Sequence, residues 1–169
     1  MKNNLNTTIK LFYSGVFSLI LLAGFSNSAK SQNVNFSGHW KVDSLKSNFG
    51  GFVAAVTLKI VQTTDTISIE PTMRTGQGET RSFVNKLPLG KTMTETRGTT
   101  KSIISTEWSG QALVQKSRFQ DDTHNSKYQA TETWTLSPDS KTLTIDRVIE
   151  DDGDGGHGTC KAVYHRNSR

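Results

Sequence analysis

The chain has 169 residues, a third of them hydrophobic, with 20 Lys and Arg against 15 Asp and Glu and a single cysteine. That length suits one domain, and the lone Cys160 excludes an internal disulfide. Without Lys2, Lys10 and Lys30 the formal charge falls from +5 to about +2, and the remaining bases are scattered, so no nucleic-acid footprint is indicated.

Residues 1–31 read as a secretion signal. Lys2 and Lys10 supply the positive start, Leu11 to Phe25 the apolar run, and Ala29-Lys30-Ser31 the small-x-small cleavage site. Cleavage after Ser28 is the alternative. The apolar run is short for a spanning helix, and no Cys directly follows it for lipid attachment. The expectation is a secreted or periplasmic protein with no stable membrane anchor after cleavage, whose residues 32–169 form one domain.

The first strand-like stretch is Asn35 to Val42. Phe36, Gly38, Trp40 and Val42 alternate with Ser37, His39 and Lys41, the period of a strand with one buried face. Gly38 leaves room for a group to close over the Trp40 indole. The last strand, with Cys160, Ala162, Tyr164 and Arg166 in its inward register, offers one. Arg166 laid on Trp40 would gain cation–π and stacking energy, on the order of 0.5–2 kcal/mol, and first and last strands meeting this way would close the sheet. In that register Cys160 reads as a small buried hydrophobe rather than a nucleophile.

Between these ends no window shows a helical period. Asp43 to Gly51 is an irregular connection, either a loop or a short helical turn over a barrel mouth. Val56, Leu58 and Ile60 form one strand face, Thr63-Thr64-Asp65 a turn, and Ile67 and Ile69 the next strand. Gly76-Gln77-Gly78 is a turn, Arg81 and Phe83 share a face, and Leu87-Pro88-Leu89-Gly90 is another turn. Met93 and Glu95 precede Arg97-Gly98. Ser102 to Trp108 leads into a Ser109-Gly110 hairpin signal, and Leu113 and Phe119 return. Tyr128, Ala130, Glu132, Trp134 and Leu136 then share one face, Ser137-Pro138-Asp139-Ser140 reads as a type I turn, and Leu143, Ile145, Arg147 and Ile149 answer. A loop of Ser137 to Ser140 would set Trp134 opposite Leu143, Glu132 opposite Ile145 and Ala130 opposite Arg147, with Thr135 against Thr142 and Thr133 against Thr144 outside.

Short alternating strands every 10–14 residues, separated by turn clusters, are an all-β signature. An up-and-down antiparallel barrel of about eight to ten strands accommodates them and removes the sheet edges, with a β-sandwich as the competing architecture. The Ser-Pro-Asp turn also occurs in β-propellers, but it appears once, in a domain too short for blade repeats.

The ordered set Phe36 to Trp40, Trp108 to Gly110 and Trp134 to Asp139, with Tyr164-x-Arg166 at the end, resembles small secreted bacterial lipocalin-like proteins of the calycin superfamily. The resemblance spans residues 32–169. It implies a barrel whose interior holds a small, mostly apolar molecule, and it carries over no catalytic residue. Two departures are the missing disulfide pair and the missing C-terminal helix of many lipocalins.

The candidate ligand-binding residues are Trp40, Phe83, Trp108, Tyr128, Glu132, Trp134 and Arg147, and the candidate closure residues are Gly38, Trp40 and Arg166. An inward Glu132 is costly unless paired. Arg147, diagonal to it across Ala130, is the natural partner, either as a structural ion pair or as an anchor for a ligand head group. The three tryptophans fill the core or line a pocket, and a small barrel filled by side chains would have no cavity. Asp151 to Gly158 has three carboxylates but lacks EF-hand spacing, so it reads as a flexible loop. His39 and His165 face outward and would sit side by side across the closure, a weak metal-site pattern. Gly-x-Ser-x-Gly is absent and the four His residues lack ligand spacing. The expected class is therefore a non-enzyme that uses no cofactor or metal. It binds a small apolar or amphipathic molecule, or, if its barrel is filled, serves as an envelope or interaction module.

Overall fold

A computed structural model describes residues 34–50, 55–74, 78–121, 123, 126–150 and 156–167. The expected signal peptide, and Asp151 to Gly155 of the acidic loop, lie outside them. The described residues form eleven strands: β1 (Gly38–Val42), β2 (Thr57–Gln62), β3 (Thr66–Arg74), β4 (Thr80–Ser82), β5 (Asn85–Pro88), β6 (Thr92–Arg97), β7 (Thr100–Ser109), β8 (Ala112–Asp121), β9 (Ser126–Leu136), β10 (Thr142–Glu150) and β11 (Gly158–Arg166). All pairings are antiparallel, in the order β4-β3-β2-β1-β11-β10-β9-β8-β7-β6, with β5 also on β3. The count exceeds the expected eight to ten because β4 and β5 are short pieces sharing one neighbour. Leu87 and Pro88, expected in a turn, end β5; the turn itself is Leu89-Gly90, where Gly90 takes a left-handed φ of 68°.

Alternation sets which side of each strand is inside. Leu58 and Ile60 of β2 are buried while Lys59 and Val61 are exposed, and on β9 the buried set is Ala130, Glu132 and Trp134. Inward residues of β2, β3 and β5 through β11 line one shared cavity, so the sheet is curled into a barrel. First and last strands do pair, Trp40 against Arg166 and Val42 against Tyr164, but this joint lies inside the strand order rather than at its ends. The ends are β4 and β5 on one side and β6 on the other, with no ladder between them. Near that seam a side chain replaces the ladder. Buried Thr106 of β7 donates from Oγ1 to the Pro88 carbonyl at 2.5 Å and accepts from the Gly90 N–H at 3.2 Å.

One end of the barrel is plugged. Phe36 precedes β1 and is fully buried. It stacks on Trp108 (6.0 Å between centroids, 13° between planes) and meets Trp134 edge-on. Gln62 holds the segment in place: Oε1 accepts from the Phe36 N–H and Nε2 donates to the Val34 carbonyl, both at 3.0 Å. Trp40 donates from Nε1 to the Phe36 carbonyl at 3.0 Å. At the opposite end, Asp43 to Gly50 contains a turn and no helix. It is tied to β11 by reciprocal backbone bonds between Asn48 and Lys161.

The β9–β10 register differs from the expected one by two residues. Leu136 faces Leu143, Trp134 faces Ile145, Glu132 faces Arg147 and Ala130 faces Ile149, with Thr135 against Thr144 and Thr133 against Asp146 outside. The cause is local. Ser137 and Thr142 pair with each other, the Ser137 N–H bonding the Thr142 carbonyl and Ser137 Oγ accepting the Thr142 N–H, both at 2.9 Å. Ser140 takes a left-handed φ of 56° inside the turn, so the loop proper is Pro138 to Lys141. A shift of two keeps every side chain on its expected face.

Candidate functional site: an interior cavity with a polar row

The barrel encloses a cavity of about 900 Å³. One wall is apolar, with Leu58, Ile69, Leu87, Met93 and Ile104 from β2, β3, β5, β6 and β7. The wall opposite has a polar row set by register. Gln115 of β8 faces Glu132, Glu132 faces Arg147, and Arg147 faces Cys160 of β11, and all four line the cavity.

Glu132 is 7% exposed, and both of its oxygens are engaged. Oε1 accepts from Arg147 Nε at 2.7 Å and also from Arg147 Nη2, while Oε2 accepts from Trp134 Nε1 at 3.0 Å. Direct opposition, rather than the expected diagonal, brings the two charges this close. An ionised carboxylate so buried is tolerable only with such partners. The Arg147 side chain keeps 40% of its surface accessible. Glu132 takes only part of its five N–H groups, and the others have no protein partner among the described residues.

Two phenols border this pair. Tyr164 is 4% exposed, and burial, with a smaller push from Glu132, raises its hydroxyl to about 12. That hydroxyl has no hydrogen-bond partner among the described residues. Tyr128, also shifted up by burial, stacks on Phe119 at 4.7 Å nearer the open end. Cys160 is partly buried, and desolvation pushes its thiol up despite the opposing Arg147 charge. This is the environment of an unreactive thiol rather than of a nucleophile.

The structure brings Phe83, Tyr128, Glu132, Trp134 and Arg147 together around the cavity, with Phe83 half exposed at its mouth. Trp40 and Trp108 do not line it. Both belong to the plug, Trp40 behind Arg166 and Trp108 behind Phe36. Tyr164 and Gln115 are cavity residues outside the set expected to bind ligand. Inward register is the signal available for both, and Tyr164 stands on that face in the sequence pattern. His39 and His165 are not side by side, because His165 faces Lys41 and its Nε2 meets Asp43 Oδ2 at 2.8 Å. Among the described residues no cluster of three or more His, Cys, Asp or Glu could hold a metal ion.

No family model and no curated protein matches the chain by sequence. Solved structures do match by fold. The fluorescent protein UnaG, in a mutant form, is similar at a TM-score of 0.51 and 18% identity, over 78% of this chain and 95% of that one. A secretory abundant heat soluble (SAHS) protein from Ramazzottius varieornatus is similar at a TM-score of 0.54 and 14% identity, over 78% of this chain and 94% of that one. With the strand order above, these likenesses give the chain a calycin-like all-β fold.

Proposed function

We propose that this is an exported, non-catalytic carrier or scavenger that binds one small amphipathic molecule inside its barrel. The observation behind this reading is the cavity of about 900 Å³, within the usual 300–1,000 Å³ of small-molecule sites. It combines an apolar wall with a few convergent polar groups, the division of labour that such sites use: area for affinity, polar groups for orientation. A cavity this large weighs against the filled-barrel interaction module. The non-catalytic part of the proposal rests on chemistry. The sole thiol is pushed toward its neutral form, and both carboxylate oxygens of Glu132 are committed. Export rests on residues 1–31 alone.

Native mass spectrometry of protein purified from its own host tests the reading. A mass increment of a few hundred daltons, lost on organic extraction and restored by adding the extract back, is the expected result. Protein without an increment, whose intrinsic tryptophan fluorescence also stays unchanged across a panel of apolar and amphipathic compounds, would refute it.

A further inference from the structure

We infer that the cavity selects ligands whose polar end is an uncharged hydrogen-bond acceptor, such as a ketone, ester or amide carbonyl, over the corresponding carboxylate. This rests on the ligand-binding reading above and adds the chemical class of the head group.

Among the described residues that line the cavity, the deep ones carry one cation, Arg147, and one anion, Glu132, already joined through two N–H groups. The other charged lining residues are Lys86, Glu95 and Arg97. Arg97 is bonded to Glu95 at 2.8 Å, and exposed Lys86 alternates with the inward Leu87. None of them supplies a second deep positive charge. A ligand carboxylate at Arg147 would therefore be a second anion sharing one guanidinium with Glu132 in a desolvated site, the arrangement that forces one of two carboxylates to take up a proton. A cationic head group fares no better, because Arg147 repels it and the Glu132 charge is already neutralised by that guanidinium.

What the site offers is donors. Arg147 has unused N–H groups facing the cavity. Tyr164, two inward positions beyond Cys160 on β11 and so deeper, has a buried hydroxyl without a protein acceptor among the described residues. A phenol is protonated at neutral pH in any case, and burial raises its value further, so the hydroxyl donates. Donors without a protein acceptor, one of them the buried Tyr164 hydroxyl, select for a ligand that supplies the acceptor, and a neutral carbonyl supplies it without adding charge.

Two fluorescent probes that share a pyrene-labelled alkyl tail, one ending in a methyl ketone and the other in a carboxylate, test this on the purified protein at neutral pH. The ketone is expected to bind at least tenfold more tightly. In Glu132→Gln the preference should shrink or reverse, because Arg147 is then uncompensated and welcomes an anion. In Tyr164→Phe the ketone should weaken at least fivefold with no loss of thermal stability, since the deleted hydroxyl has no protein partner. If Glu132→Gln fails to fold, Tyr164→Phe decides. Equal or tighter binding of the carboxylate by wild type overturns the inference and leaves the ligand-binding reading standing. A ketone preference unchanged in both variants also overturns it. Binding of neither probe would overturn the inference, and the ligand-binding reading falls with it if the protein from its own host also carries no mass increment.

Discussion

Arg166 lies over the indole of Trp40, its guanidinium carbon 4.2 Å from the ring centroid, and the two residues are direct register partners across β1 and β11. The guanidinium also donates from Nη1 to the Ser37 carbonyl at 2.6 Å and from Nε to the Ser140 carbonyl at 2.9 Å. One side chain thus ties together the first strand, the last strand and the β9–β10 turn. Gly38 makes this possible, because a Cβ there would come within 2.5 Å of Arg166 Nη1, and its φ of +151° is one that side-chain-bearing residues rarely adopt. Trp40→Ala is expected to cost about 3–5 kcal/mol, and Gly38→Ala about 1–3 kcal/mol from strain and displacement of Arg166. Urea denaturation checks both. A wild-type midpoint for Trp40→Ala would show that the joint does not hold the barrel.

The Glu132–Arg147 pair should respond asymmetrically. Arg147→Met strands a nearly buried carboxylate and should cost about 3 kcal/mol or more. Glu132→Gln leaves a guanidinium that the cavity still partly solvates, and should cost about 1–2 kcal/mol. Replacing both by apolar residues should recover much of the larger loss, and a double-mutant cycle reads the coupling. Strictly additive effects would mean that the two side chains do not interact in solution.

Thr106 should matter more than its type suggests. Thr106→Val keeps the shape but removes both bonds across the seam, leaving the Pro88 carbonyl and Gly90 N–H without that partner. The expected cost is about 1–3 kcal/mol. Hydrogen exchange should quicken along β5 and β6 and not along β9 and β10. Uniform quickening would show that the seam is not the local weak point.

At high pH, Tyr164 sets a limit. Its folded-state value, raised to about 12, lies above the ordinary tyrosine value of 10.0. The folded form therefore holds its proton longer than the unfolded form does. The resulting stability is intact below about pH 10 and drains away as pH rises toward 12. Melting temperature against pH should fall over that window in wild type and fall less in Tyr164→Phe.

At low pH, Asp43 acts in the opposite sense. The hydrogen bond from His165 holds its carboxyl below the usual aspartate range, with help from the Lys46 and Leu45 N–H groups. Its contribution is present above the unfolded value and is lost as pH falls through the lower folded one. Asp43→Asn should flatten the acid limb of the stability curve and loosen the Asp43–Gly50 loop from β11. An unchanged acid limb would show that Asp43 does not contribute to acid stability.

Much of this protein was legible in its residues. Period-two alternation marked the strands and the inward side of nearly all of them, because a buried face tolerates few polar side chains. Gly38-x-Trp40 with Arg166 announced the joint between the chain ends, since a Gly beside a Trp leaves a space that something must fill. Register was less legible. One left-handed residue, Ser140, and one pairing, Ser137 with Thr142, moved β10 by two positions, and backbone dihedrals at a turn are not written in hydrophobic pattern. The same shift made Glu132 and Arg147 direct partners. Only the tertiary structure decided the rest. An inward Trp reads the same whether it plugs the barrel, as Trp108 does, or lines the cavity, as Trp134 does. The difference lies in how Phe36 folds under the sheet, and that long-range packing leaves no local trace. The seam between β5 and β6, bridged by Thr106, is likewise a consequence of where the curl of the sheet runs out, which no single strand encodes.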